Sequence, residues 1–391
     1  MNARQAGATE KGVSYRTMKT SHLSLVLAAS LLAMFSYSGL QEQKWAGTVE
    51  EKDGVRVVRN PREPIYKDDI LSLVEELSIG YAEGKEERMF TNINDLAVDA
   101  NENIYLLDLR QGQIRAFDKN GRYLGNIGQR GQGPGEFQFP VQILISPGQE
   151  VVIGDLMASR LLFFSPNGTF KKSLPTWKHG RPIKVLLNSE GNIIGEIPLS
   201  GEKKGFSLRK FNLDFEELFT IAVKEREKIP LLEDLSARII WSVSENDHII
   251  WGDSEKYEIN VLDRDGKLQN IIIKEFDPEQ IVEEEYREQI KTKFGGRPIP
   301  PDFDQELPRH YPAFRALETD DQGRLLVRTF EKVKGGKGYY LDVFSPESKY
   351  IAKIPLRAQA MICKKGKLYT VEEDQNRFPV MKRYGLKWKI N

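Results

Sequence analysis

A six-fold recurrence constrains this chain more than any other feature of its sequence. Six segments open on a polar turn and run into a short apolar strand: Asp99-ANENIYLLD, Ser146-PGQEVVIGD, Asn188-SEGNIIGE, Ser244-ENDHIIWGD, Thr319-DDQGRLLVR and Cys363-KKGKLYTVE. The strands start at Ile104, Val151, Ile193, Ile249, Leu325 and Leu368, so neighbouring copies stand 47, 42, 56, 76 and 43 residues apart. Another apolar strand follows in each, marked by Phe117, Phe164, Phe211, Leu262, Phe344 and Met381, and in four copies the offset is 13 residues. Turns such as Asp118-KNG, Ser165-PNG and Asp263-RDG are the punctuation of antiparallel strands. A single four-stranded sheet of this length cannot cover both of its faces, and packing six of them around an axis solves that burial problem. The expected fold is therefore all-β, a six-bladed β-propeller of four-stranded antiparallel blades. A β-sandwich or barrel would supply regular turns but no shared offset.

The run Asn103-IYLLD, continued by Ile114-RAFDKNGRYLGNIGQRGQGPGEFQFP, resembles the NHL-type repeat. In particular it is similar to the bacterial six-bladed, TolB-like β-propeller family, in which a GxGPGEF loop joins one blade to the next. The resemblance extends from about Trp45 to the C-terminus and is sharpest in the first two blades. It implies the fold and an extracytoplasmic location, and it assigns no activity to named residues.

Both ends of the chain carry signals. Leu23 to Tyr37 (LSLVLAASLLAMFSY) is an apolar run preceded by Arg16 and Lys19, with the small residues Ser36, Ser38 and Gly39 around its end, the order of a signal peptide. At about 15 residues the run is short for a membrane span, which needs about 20. Export with cleavage near Ser38 is the expectation, with an uncleaved N-terminal anchor as the alternative. The chain then divides into a leader over 1–39, an N-terminal extension over 40–69 and a propeller over 70–391. Ile79-Gly80 and Phe90 repeat the arrangement of Ile127-Gly128 and Phe137, which makes the segment before Phe90 an outer strand with no blade of its own. The last copy lacks an outer strand, and joining the two would close the ring.

Composition narrows the partners. The 57 basic and 57 acidic residues cancel, so no net field draws the chain to nucleic acid or to an anionic membrane. A small molecule or a protein is the expected partner. Cys363 is the only cysteine, which excludes an internal disulfide and a multi-thiolate zinc site. Four histidines, one of them in the leader, make a three-imidazole metal centre a poor fit. No cofactor is expected, although a divalent metal held by carboxylates stays open. The spacing of Asp99, Asn101 and Asn103 imitates a calcium loop, but Ile104 stands where glycine is required, so a turn is expected. Gly128-QRGQGPGEF leads into a strand and not a helix, which argues for a crossover between blades and against a phosphate cradle.

The 76-residue gap between blades four and five holds an insertion over 277–311 with a helix inside it. Asp277, Pro278 and Gln280 read as cap, first turn and capping box, Gly295-Gly296 as the stop, and Val282, Tyr286, Ile290 and Phe294 as one apolar stripe. In a propeller blade the loop from second to third strand and the loop to the next blade share one face, the top face. The second-to-third loops begin at Asp108, Asp155, Glu196, Asp253, Arg328 and Glu372, whose carboxylates either cap turns or ring the channel mouth. The insertion there reads as a lid, and inner-strand beginnings and loop residues near the mouth select Arg130, His179, Arg181, Arg238, Trp241, His310, Tyr311 and Arg315 as site candidates, a mixture of cations and aromatics suited to an anionic or carbohydrate-like ligand. The functional expectation is an exported binding protein that recognises a small ligand or a protein on the top face or in the central channel. The alternative is a metal-dependent hydrolase or lyase with a carboxylate-rich channel site.

Overall fold

A computed structural model describes residues 44–67, 70–232, 235–301, 303–304, 306–334, 338–358 and 360–389. The leader read at 1–39 lies outside the described residues. Six sheets stand in a ring, each with its first strand innermost. The first strands are Ile93–Val98, Pro140–Ile145, Lys184–Leu187, Ile239–Val243, Ala316–Thr319 and Ala360–Lys364. The recurrent apolar run is the second strand of each blade, as in Ile104–Asp108 and Val151–Asp155, both wholly buried. Neighbouring blades cover such a strand on both faces, which is why it reads as a continuous apolar stretch.

The marker residues face one another across the second and third strands in five blades: Ile104 with Phe117, Val151 with Phe164, Ile193 with Phe211, Ile249 with Leu262, and Leu325 with Phe344. The sixth differs. Leu368 pairs with Tyr384, and Met381 pairs with Val371. The strand Lys367–Glu373 is longer, and Asp374 caps the following loop by accepting the N–H groups of Asn376 and Phe378, both at 2.8 Å. The offset of 13 in that copy is therefore a coincidence of numbering.

Leu71–Ile79 supplies the outer strand of blade six, antiparallel to Pro379–Trp388, from Leu71 opposite Trp388 to Ile79 opposite Met381. The extension before it is structured too. Thr48–Lys52 and Val55–Asn60 form a hairpin around Asp53-Gly54, both at positive φ as a tight primed turn requires. Val55–Asn60 lies parallel to Leu268–Lys274 and enlarges blade four to six strands. Next, the N–H groups of Ile65 and Tyr66 donate to Tyr350 and Ile351 on the outer strand of blade five. Residues 55–79 thus touch the outer edges of blades four, five and six in turn.

The insertion follows the outer strand of blade four and leads to the inner strand of blade five, on the top side. Its helix, α1, spans Glu283–Phe294, six residues later than Asp277. Residues 279–281 are drawn into a ribbon instead: Gln280 bridges His310, Ile281 N–H donates to Arg309 O, and Tyr311 N–H donates to Glu279 O. Asp277 pairs with Arg62 at 2.7 Å, so it is not the cap. The C-terminal stop at Gly295 is left-handed as expected. Within the stripe Val282 is exposed, whereas Tyr286, with Ile290 and Phe294 beside it, packs on Leu231, Leu232, Leu235, Tyr311 and Phe330. The helix is seated on the crossover between blades three and four and on blade five.

Candidate functional site

The inner strands set the problem that the site answers. An innermost strand has one paired edge and one open edge, and its unpaired N–H and C=O groups face the channel. Here side chains from a neighbouring blade fill several of those positions. Asp95 of blade one accepts the N–H of Ile143 in blade two at 2.9 Å, and also its own neighbour Leu96 N–H at 3.0 Å. Gln142 of blade two meets both groups of Val185 in blade three, at 2.7 and 2.8 Å. Lys184 of blade three donates to Trp241 O in blade four at 3.0 Å while its ammonium stands 4.6 Å from the Trp241 ring. Glu318 of blade five accepts the N–H of Cys363 in blade six.

Asp95, Lys184 and Glu318 therefore come from alternate blades, and each braces the next. Asp95 and Lys184 lie three residues before the end of their strands and Glu318 one residue before. At about 3.3 Å per residue they are staggered along the channel by about 7 Å. Removal from bulk water shifts all three toward neutrality. Burial pushes the Asp95 carboxyl up to about 6, against the opposing pull of the Ile143 and Leu96 N–H groups. Burial pushes Glu318 up to about 7, with Lys184 opposing, and holds the Lys184 ammonium below its usual range.

These groups line a cavity of ≈ 860 Å³ that runs along the axis. Its walls are inner-strand residues of all six blades, mostly apolar, including Leu96, Ile143, Leu144, Leu186, Met361 and Ile362. Its rim is made by the first-to-second-strand turns, among them Gln149, Ser189, Glu245, Asp247, Asp321 and Lys365. No lining residue belongs to an inter-blade crossover or to the insertion. The cavity opens among the first-to-second-strand turns, on the bottom face. The apolar stripe of α1 packs on the blade three to four crossover, on Tyr311 and on Phe330 of blade five. A separate cleft of ≈ 750 Å³ lies beneath the insertion, lined by Tyr286, His310, Tyr311 and Arg226 among others.

The sequence candidates do not converge. Trp241 and Arg238 border the channel cluster, Trp241 under Lys184 and Arg238 through its charge on that lysine. His310 and Tyr311 sit in the insertion cleft, and Arg315 stacks on Phe330 and Tyr339 nearby, at 5.1 Å from each ring. His179 turns onto Phe211 and Phe215 at 5.6 and 6.1 Å, Arg181 edges a narrow pocket over blade two, and Arg130 lies over Gly112. Of the second-to-third carboxylates, Asp108 and Asp155 cap turns, whereas Glu196 accepts the indole N–H of Trp241 at 3.3 Å, Asp253 pairs with Lys224 at 2.5 Å, and Glu372 accepts the hydroxyls of Thr370 and Tyr384 at 2.7 and 2.9 Å. Asp108 accepts Thr91 and Gln111 N–H at 2.6 and 3.0 Å, and Asp155 accepts Gln138 and Phe139 N–H at 3.1 and 3.0 Å. Asp99 likewise accepts Asn101 and Asn103 N–H, both at 2.8 Å, as a turn residue. In the glycine-rich loop Glu136 accepts Gly133 N–H at 2.8 Å, and Gly128 and Gly135 take positive φ in the crossover. Among the described residues no three His, Cys, Asp or Glu side chains converge as a metal-binding group.

Fold and channel together define a six-bladed β-propeller with a ligand-sized axial cavity. Residues 66–176, the closing strand and blades one and two, match the DUF5128 family, described as a 6-bladed beta-propeller. Among solved structures the chain is similar to a protein of Bacteroides fragilis described provisionally as exported, at 11% identity and TM-score 0.55, over 84% of this chain and 99% of that one. It is also similar to a DUF4221 family member of Bacteroides vulgatus, at 11% identity and TM-score 0.54, over 82% and 100%. Likeness at that identity speaks to the fold alone. No curated protein matches the chain.

Proposed function

We propose that this propeller is an exported binding protein that takes a small ligand into its axial cavity through the bottom face. The supporting observation is one cavity, within the usual 300–1,000 Å³ range of ligand pockets, with mainly apolar walls and a few charged groups set deep inside. A metal-dependent hydrolase or lyase would need a convergent donor set, and none stands among the described residues. Thermal-shift screening with small amphipathic compounds tests the proposal. Compounds that stabilise the protein should lose their effect in Leu186→Trp and in Ile362→Trp, each of which fills the cavity from a different blade. Stabilisation that survives both plugs would place binding elsewhere and end the channel reading.

Export rests on the leader-like order of residues 16–39. No helix among the described residues is long and apolar enough to cross a membrane. N-terminal sequencing of the mature protein should begin just after Ser38, and an intact Met1 or Met18 terminus would overturn cleavage.

A further inference from the structure

We infer that the ion pair between Glu245 and Lys364 is a salt-sensitive gate across the mouth of the axial cavity, screening the sector that holds Glu318 and Cys363. This rests on the channel reading and adds a control on access to that cavity. Glu245 stands in the first-to-second-strand turn of blade four, and Lys364 ends the inner strand of blade six. Blade five lies between them. The Lys364 Nζ nevertheless meets the Glu245 Oε1 at 2.7 Å, and both residues line the cavity.

Other contacts that stitch this rim join neighbouring blades. Asp247 of blade four accepts the N–H and the hydroxyl of Ser189 in blade three at 2.7 and 2.5 Å, and Gln149 of blade two accepts the Ala100 N–H of blade one at 2.8 Å. Lys365 of blade six donates to Ala100 O. A link from blade four to blade six skips one blade, so between two residues of the cavity lining it runs as a chord across the mouth in front of blade five. Behind the chord lies Glu318 of blade five, which accepts the Cys363 N–H and feels the Lys364 charge. The Cys363 thiol lies there too, among the charges of Glu318, Asp320, Asp321 and Arg324.

The chord can open without disturbing the sheets that carry it. The Lys364 and Glu245 side chains are 36% and 50% exposed, and among the described residues neither has a second hydrogen-bond or ion-pair partner. The blade-four turn is held independently, by Asp247 N–H on Ser244 O at 3.0 Å and His248 N–H on Ser244 Oγ at 3.1 Å. Only two long side chains have to swing, from fixed posts. An exposed pair of this kind favours contact over separation by about two- to fivefold. Salt screens that preference, so the open fraction rises with ionic strength.

Cys363 is the chain's one cysteine and lines the cavity, so its thiol reports on the gate without any ligand. The experiment is the rate of its labelling by methyl methanethiosulfonate, a small uncharged reagent, in about 20 and about 500 mM sodium chloride, read by mass spectrometry. The intact protein should label about two- to fivefold faster in the high salt. Glu245→Gln should reach the faster rate in low salt and lose most of the salt dependence, with Lys364→Gln as a second variant should the first fold poorly. Asp321→Asn removes an acid that acts on the thiol but leaves the pair intact, and it should keep the salt dependence. A rate in the intact protein that ignores salt, a Glu245→Gln rate equal to the parent's in low salt, or loss of the salt dependence in Asp321→Asn would overturn the gate. Absence of labelling in the folded proteins, with labelling in urea, would overturn it too. The channel reading is tested separately by the Leu186→Trp and Ile362→Trp plugs and stands or falls without these rates.

Discussion

Deletion of residues 70–80 is expected to leave a protein that aggregates or melts far below the intact one. The segment is the outer strand of blade six, and without it the edge of Pro379–Trp388 is open along its whole length. Ile70 and Ile79 are fully buried, and their burial alone represents about 3 to 6 kcal/mol, a large share of the net stability of a folded domain. Ion pairs of Glu75 with Lys382 and of Glu76 with Arg383 at 2.9 and 3.1 Å are lost too, but they are partly exposed and contribute little by comparison. Thermal melting and light scattering read the result. A deletion that melted like the intact protein would show that the strand is dispensable and that the ring closes without it.

Asp342→Ala should be the most damaging single substitution. Asp342 is 1% exposed and accepts the hydroxyls of Tyr257 and Tyr350, each at 2.7 Å. It also faces Lys274, 8% exposed, at 3.3 Å, and that ammonium lies over both tyrosine rings at 4.8 and 4.7 Å. Burial and the Asp342 charge together push both phenols well above the usual tyrosine range, so they remain donors at every ordinary pH. Removing the carboxylate strands one buried cation and two hydroxyls between blades four and five, at a cost of about 3 to 5 kcal/mol. Urea unfolding should show a lower midpoint at unchanged slope. The double variant Asp342→Leu with Lys274→Met should recover much of the loss, because a well-packed apolar pair can replace a buried ion pair. A single variant as stable as the parent would mean that Lys274 finds another partner.

How much of this could be read from sequence depended on what each strand faces. The second strands are enclosed on both sides by neighbouring blades, so runs such as IYLLD and VVIGD announce themselves and fix both the repeat and the blade count. The first strands are harder, because they carry Asp95, Gln142, Lys184 and Glu318 for the sake of the adjoining blade and not of their own sheet. A charged residue inside an otherwise apolar inner strand was the available signal, and it needed the strand to be placed first. The closing strand was legible because Ile79 and Phe90 repeat Ile127 and Phe137. The hairpin over 48–60 repeats nothing and gave no such sign. Asp277 and Pro278 imitate a helix start well, but a ribbon with 309–311 and an ion pair to Arg62 hold that stretch open, and no local pattern encodes either partner.

The lacing of blades four, five and six by the first residues of the propeller has a consequence for how the chain reaches its native state. Val55–Asn60 waits for Leu268–Lys274, and Leu71–Ile79 waits for Pro379–Trp388, so strands made early find their partners only after most of the chain, or nearly all of it, has been synthesised. Such distant pairings carry a heavy loop-closure penalty and are slow to form. Blades one to three are built from local hairpins, whereas the edges that these early strands close stay open until their late partners exist. Commitment to the finished ring is therefore a late, single event, and until it happens two early strands remain open for a chaperone, or for another copy of the same chain, to hold.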